Sequence, residues 1–265
     1  MSRIISSTQN QLIKNILLLQ EKPGARKDQN LIVIEGLREV RLAVSSGFEV
    51  TSLFYCPEIL GAEEMQKIMT VTVPERIEVS VDSFDRIAYR KGNGGLIALA
   101  RPRRTAFSDL KPGSLPLLLV VESVEKPGNL GALLRTADAA NLDGVIICDP
   151  KTDIYNPNAI RSSVGCIFTV PVVTASTEET ITFLRSEKIR MFAAALPAKH
   201  FYHEADFRQP AAVIMGTEAN GLSKTWLEEA DELVKIPMLG KIDSMNVSAS
   251  AAVLIFEAMR QRGFH

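Results

Sequence analysis

The stretch Ile236-Pro-Met-Leu-Gly-Lys-Ile-Asp-Ser-Met-Asn-Val-Ser-Ala-Ser-Ala-Ala-Val-Leu-Ile-Phe-Glu-Ala-Met-Arg260 decides how this chain of 265 residues is read. A short apolar strand, Leu233 to Ile236, leads into it and stops at a proline. A polar turn containing Gly240 follows, and then a helix from Val247 to Met259. Ser244 and Asn246 stand where such a helix needs capping, because side-chain oxygens there accept the first free backbone N–H groups. Ser248, Ala249, Ser250, Ala251 and Ala252 are small, so the helix is expected to be approached closely by other backbone. Taken alone, the stretch reads first as an ordinary closing helix, with one wall of a ligand cradle as the second reading.

Two other glycine-bearing turns tip that balance. One is Glu122-Ser-Val-Glu-Lys-Pro-Gly-Asn-Leu-Gly-Ala-Leu-Leu-Arg-Thr-Ala137, after an apolar run from Leu115 to Val121. The other is Val213-Ile-Met-Gly-Thr-Glu-Ala-Asn-Gly-Leu-Ser223, at the end of a run from Ala211 to Met215. Further strands are expected at Gly144 to Cys148, Ile167 to Val173 and Arg190 to Ala195, with helices at 129–141, 158–165, 176–186 and 223–229. Continuous apolar strands alternating with helices describe a mainly parallel sheet covered on both faces. Turns at the carboxyl ends of parallel strands converge and form the ligand crevice. Asn129, Arg135, Glu218, Ser244 and Asn246 would meet there. Each has an ordinary reading alone, as a cap, a surface residue or a loop charge; their joint placement favours a site.

The first hundred residues form a smaller α/β unit. Helices are expected at 8–20, 35–46, 58–69 and 82–88, and strands at 31–34, 51–56, 76–79 and 95–100. The polar, proline-bearing segment from Arg101 to Ser114 reads as a linker. Arg101, Arg103 and Arg104 can contact phosphate there or stay solvated. The net charge is −1, with +3 over residues 1–112 (16 basic, 13 acidic) and −4 over the rest (14 basic, 18 acidic), so only the first part leans toward a polyanion. Cys56, Cys148 and Cys166 are odd in number and far apart, which fits a reducing cytoplasm and excludes a disulfide framework. No run is long and apolar enough for a membrane span, and no secretory signal is expected. His200 and His203 lack the companions of a metal site, so no metal is expected. The glycines of Lys91-Gly-Asn-Gly-Gly95 precede a strand, the wrong order for a dinucleotide fingerprint, and no phosphate loop is present. That disfavours an oxidoreductase or kinase. Cys166, after Ser162-Ser-Val-Gly, reads as a buried structural cysteine.

Asn129-Leu-Gly-Ala-Leu-Leu-Arg-Thr-Ala137 resembles the first motif of the SpoU/TrmH family of RNA ribose 2'-O-methyltransferases, in the SPOUT superfamily. Gly216-Thr-Glu-Ala-Asn-Gly-Leu222 resembles the second, and Ile236-Pro-Met238 with Ser244-Met-Asn-Val-Ser248 the third. Ile160-Arg-Ser-Ser-Val-Gly-Cys-Ile-Phe168 resembles the family's mid-domain helix. Thr217 and Met245 stand where the family usually has serine and leucine. Val33-Ile-Glu-Gly36 and Gly94-Gly-Leu-Ile-Ala98 resemble a substrate-binding domain similar to small ribosomal RNA-binding proteins. The resemblance implies an RNA-binding domain over 1–104, a linker over 105–115 and a trefoil-knotted methyltransferase domain over 116–265, paired as a homodimer with the active site at the interface. It implies S-adenosyl-L-methionine as cofactor, held by Gly216, Ile236, Met238 and Met245 with Leu196 beside them. Arg135 would polarise the ribose hydroxyl, with Asn129, Glu218, Ser244 and Asn246 orienting it and the RNA. Ribosomal RNA is the favoured substrate. Transfer RNA, or a non-catalytic RNA-binding role on the knotted scaffold, are the alternatives.

Overall fold

The computed structural model describes residues 3–89, 94–217 and 219–264. The chain divides into two compact units, Met1–Arg103 with Tyr155–Thr169, and Arg104–Ile154 with Val170–His265.

The first unit is built on five strands, β1 (Arg3–Ile5), β2 (Ile32–Glu35), β3 (Val50–Tyr55), β4 (Glu75–Val79) and β5 (Leu96–Ala100), in the order β1-β4-β3-β5-β2. β1, β4 and β3 run parallel, whereas β5 is antiparallel to both β3 and β2. Its helices are α1 (Gln11–Glu21), α2 (Pro23–Gln29), α3 (Leu37–Ser45), α4 (Pro57–Leu60), α5 (Ala62–Met69) and α6 (Val81–Ile87). Asn10 caps α1 by accepting from Leu12 N–H. The expected single helix over 58–69 is two, because Gly61 sits between α4 and α5 at φ +79°. α2, which the sequence reading did not include, starts at Pro23, where the missing N–H costs nothing.

The second unit carries seven strands, β6 (Leu117–Glu122), β7 (Gly144–Cys148), β8 (Val172–Ala175), β9 (Arg190–Ala194), β10 (His200–Phe201), β11 (Ala211–Met215) and β12 (Glu232–Lys235). Their order is β10-β12-β9-β11-β6-β7-β8, and every pair is parallel. The intervening helices are α7 (Pro127–Ala139), α8 (Pro157–Ser162), α9 (Cys166–Thr169), α10 (Thr177–Ser186), α11 (Lys224–Glu229) and α12 (Val247–Gln261). β6, β7 and β11 are buried along their whole length, as strands covered on both faces must be. Trp226 of α11 is fully buried within that core. At the far end of the chain, the Arg262 guanidinium donates to the carbonyls of Leu115, Pro116, Phe207 and Gln209. Burial pushes its pKa below the usual arginine range.

Three expectations change. Residues 167–173 were expected to be one strand, but Cys166–Thr169 is helical and only β8 is extended. With α8, this helix belongs to the first unit: Phe48 meets Tyr155 and Phe168 edge-on, with ring centroids at 6.2 and 5.0 Å. The segment 105–115, expected as a linker, packs into the second unit. Phe107 stacks on Phe183, Leu110 is buried, and the Asp143 carboxylate accepts from the N–H groups of Gly113 and Leu117. Of the three arginines read as either phosphate contacts or solvated, two are engaged within the first unit. Arg101 donates to the carbonyls of Gln29 and Asn30, and Arg103 donates to Ser46 O while lying over the Phe48 ring. Among the described residues no helix is long and apolar enough to cross a membrane.

Candidate active site

The carboxyl ends of β12, β9, β11 and β6 lie side by side in the sheet. The segments leaving the first three of them surround a cleft of about 720 Å³. Its walls are the Ala195–Pro197 turn after β9, the loop after β11, and the segment from Ile236 into α12. Ala194, Met215, Leu222, Leu227 and Val234 line it with apolar surface, while Thr217, Asn220, Asp243 and Ser244 supply polar groups. This is the crevice expected at the carboxyl edge of a parallel sheet.

The loop after β11 is tightly folded. Thr217 and Gly221 exchange backbone hydrogen bonds at 2.9 and 3.1 Å, and the Thr217 hydroxyl accepts from Asn220 N–H at 3.0 Å. Gly216 lies so close to the returning chain that a Cβ there would overlap the Gly221 carbonyl and Leu222 N. Only glycine fits, and its backbone is thereby left facing the cleft.

Asn246 caps α12, its Oδ1 accepting from Ser248 N–H at 2.9 Å and from the Ser248 hydroxyl at 2.6 Å. The Asn246 Nδ2 group donates to Asn129 Oδ1 at 3.2 Å, tying α12 to the first turn of α7. Asn129 Nδ2 is buried with no partner among the described residues. Ser244 does not cap the helix; its hydroxyl donates to Asp243 Oδ1 at 3.2 Å.

Leu196, Gly216, Ile236, Met238, Met245, Ser244 and Asn246 all line the cleft, so the residues expected at the cofactor slot are brought together. Arg135 is not. It is exposed on α7, forms no hydrogen bond or ion pair among the described residues, and is absent from the cleft wall of its own chain. Residues six apart on a helix lie about 120° apart around its axis, so Asn129 and Arg135 face different directions. Glu218 lies outside the described residues. His200 pairs with Glu232 at 3.4 Å and His203 stacks near Phe201, at the surface. All three cysteines are buried, and burial pushes the Cys148 thiol up to about 12.

Residues 116–256, more than half of the chain, match the SpoU rRNA Methylase family. The chain belongs to that family. Residues 10–98 match the MRM3-like substrate binding domain. A Bacillus subtilis relative, the 23S rRNA (guanosine(2553)-2'-O)-methyltransferase RlmP, is 29% identical over 95% of this chain and 97% of its own length. A solved RNA 2'-O ribose methyltransferase is 37% identical, covers 98% of this chain and 99% of its own, and superposes with a TM-score of 0.85. The AdoMet-bound rRNA methyltransferase from Sinorhizobium meliloti is 27% identical, covers 98% of both chains and has a TM-score of 0.88. For a SpoU chain, the position of Arg135 outside its own cleft is the main point at which the geometry departs from the motif-based expectation. Lys126, Glu125 and Ser123, between β6 and α7, were not singled out by sequence; their part in the wall of an adjoining cavity emerges only from the fold.

Proposed function

We propose that this protein transfers a methyl group from S-adenosyl-L-methionine to a ribose 2'-hydroxyl of ribosomal RNA. The observation that carries the reading is the cleft itself, at the carboxyl ends of parallel strands, with all three SpoU motifs on or beside its walls.

The residues present fit the cofactor. Gly216 leaves its backbone open to the cleft because no side chain fits there, and Ala194, Met215, Leu222 and Val234 offer an apolar slot for a purine. Lys235 and Asp243 line the same cleft and supply one charge of each sign, as a zwitterionic amino-acid tail requires. When bound, the cofactor supplies an electrophilic methyl group. The chain must position a weakly nucleophilic hydroxyl in line with it and stabilise the developing negative charge. Arg135 provides that stabilisation, since a guanidinium is a poor base but a good donor to an alkoxide and an adjacent phosphate. Asn129, Ser244 and Asn246 order the substrate side of the cleft, and Glu218 belongs to the same set by motif.

Arg135 is exposed and lies outside the wall of its own cleft, and Phe256 of α12 is an exposed aromatic ring. Both features support a homodimer through the C-terminal domain, in which Arg135 meets the reacting centre at the interface. A trefoil knot in the C-terminal segment, a substrate-binding role for residues 1–104 and a cytoplasmic location belong to the same reading. The protein, tritium-labelled cofactor and ribosomal RNA from cells lacking the gene form the test. A single alkali-resistant 2'-O-methyl site is the expected product; absence of transfer, or a label on a base, overturns the proposal.

A further inference from the structure

Beside the cleft opens a second cavity of about 260 Å³, which shares Gly216, Thr217, Ala219 and Val247 with it. Its other wall is the turn from β6 into α7, with Val121, Ser123, Val124, Glu125 and Lys126. Val121 and Val124 are buried and give it an apolar floor. Ser123 holds a left-handed conformation, φ +49°, while its N–H donates to Cys148 O at 2.8 Å, which fixes the start of the turn. Glu125 stands at the rim, with its side chain 54% exposed and one carboxylate oxygen 2.9 Å from Lys151 Nζ.

A carboxylate on a surface that meets RNA is electrostatically adverse unless it finds donors there and its charge is offset. Lys151 supplies the offset. Guanine supplies the donors: on its Watson–Crick edge N1–H and the N2 amino group point the same way, matching the two oxygens of one carboxylate. Adenine, cytosine and uracil do not present that adjacent pair. A base taken out of its stack for chemistry on its nucleotide is read by hydrogen bonds to this edge above an apolar floor.

Resting on the methyl-transfer reading, the geometry points to this cavity as the acceptor-nucleoside site, with Glu125 as the residue that selects guanine. Lys151 acts as a positioning residue, fixing the carboxylate at the rim. The wall shared with the cleft at Gly216 and Thr217 puts the acceptor next to the methyl donor without placing it in the same slot.

The experiment uses the full-length protein and an RNA fragment carrying the methylated position mapped for the native enzyme, with guanosine, inosine or adenosine at that position. For the native protein kcat/KM should fall from guanosine to inosine, which lacks the N2 amino group, and by roughly 10- to 100-fold to adenosine. In Glu125→Gln the preference for guanosine over adenosine should shrink at least roughly tenfold, with calorimetric binding of S-adenosyl-L-methionine unchanged. A purely structural Glu125 would alter all three substrates alike. A mapped acceptor other than guanosine, or a Glu125→Gln enzyme with the native base preference, overturns the assignment while leaving the methyl-transfer reading intact. A native protein that methylates no RNA overturns both.

Discussion

Asn246 and Asn129, 117 positions apart in the chain, are joined through their side-chain amides at 3.2 Å. The same Asn246 side chain caps α12 through its oxygen, so one residue both starts the last helix and ties it to α7 at the substrate side of the cleft. The two roles can be separated. Serine caps helices about as well as asparagine but is too short to reach Asn129. Asn246→Ser should therefore keep its thermal midpoint near that of the native protein while methyl transfer falls at least tenfold. Asn246→Ala should lose the cap as well, costing about 1 kcal/mol and lowering the midpoint by roughly 2–4 °C. Differential scanning calorimetry beside a methyl-transfer assay checks both, and full activity in Asn246→Ser would show that the amide link is only structural.

Gly216 is expected to tolerate no side chain. In Gly216→Ala the new methyl group meets the backbone of Gly221 and Leu222, so the loop after β11 must shift away from the cleft. Cofactor affinity measured by calorimetry should drop by at least tenfold, with far-UV circular dichroism preserved. Native affinity in this variant would mean that the loop does not form the cofactor wall.

Arg135→Ala should lower kcat by roughly 100- to 1,000-fold, the range for loss of a donor to a developing oxyanion. Because Arg135 is not on the cleft wall, cofactor binding should stay nearly intact. Retained transfer of tritiated methyl would remove Arg135 from the chemistry.

Cys148 is held protonated by burial, which raises its pKa from 9.0 to about 12; the nearby charges of Asp149 and Glu122 add to this, and Thr180 works against it through a hydrogen bond. A raised thiol pKa in the fold means that the stabilising contribution is complete below the unfolded value and is lost as pH climbs toward the folded one. Stability to urea should accordingly decline between about pH 9 and about pH 12. In native protein at pH 8, iodoacetamide should leave Cys148 unlabelled by mass spectrometry and modify it only once urea unfolds the chain. Labelling at the native rate of an exposed thiol would contradict the burial.

Much of the second unit was legible because its strands are unbroken apolar runs. Gly144–Cys148 and Ala211–Met215 fall on the expected residues. Short or edge elements were not: β1 has three residues and β10 only two, too few to show a period. Cys166–Thr169 carries the β-favouring Ile167, Phe168 and Thr169, yet packing of Phe168 on Phe48 overrides that preference and leaves it helical. In the cleft, Leu196, Gly216, Ile236, Met238, Ser244, Met245 and Asn246 lie together because their turns follow neighbouring strands. That Arg135 is not on the cleft wall was missed because a motif states spacing and not which residues of a helix meet the cleft. Glu125 went unmarked because one glutamate in a turn has no signature until the fold sets it beside a cavity.

The clasp made by Arg262 has a consequence for how the second unit is closed. Four carbonyls, at Leu115, Pro116, Phe207 and Gln209, share one guanidinium that follows α12. The segment before β6, the segment before β11 and the residue after α12 are thereby fastened at a single knot of hydrogen bonds. Removing that one side chain would strip the shared donor from three stretches of chain at once.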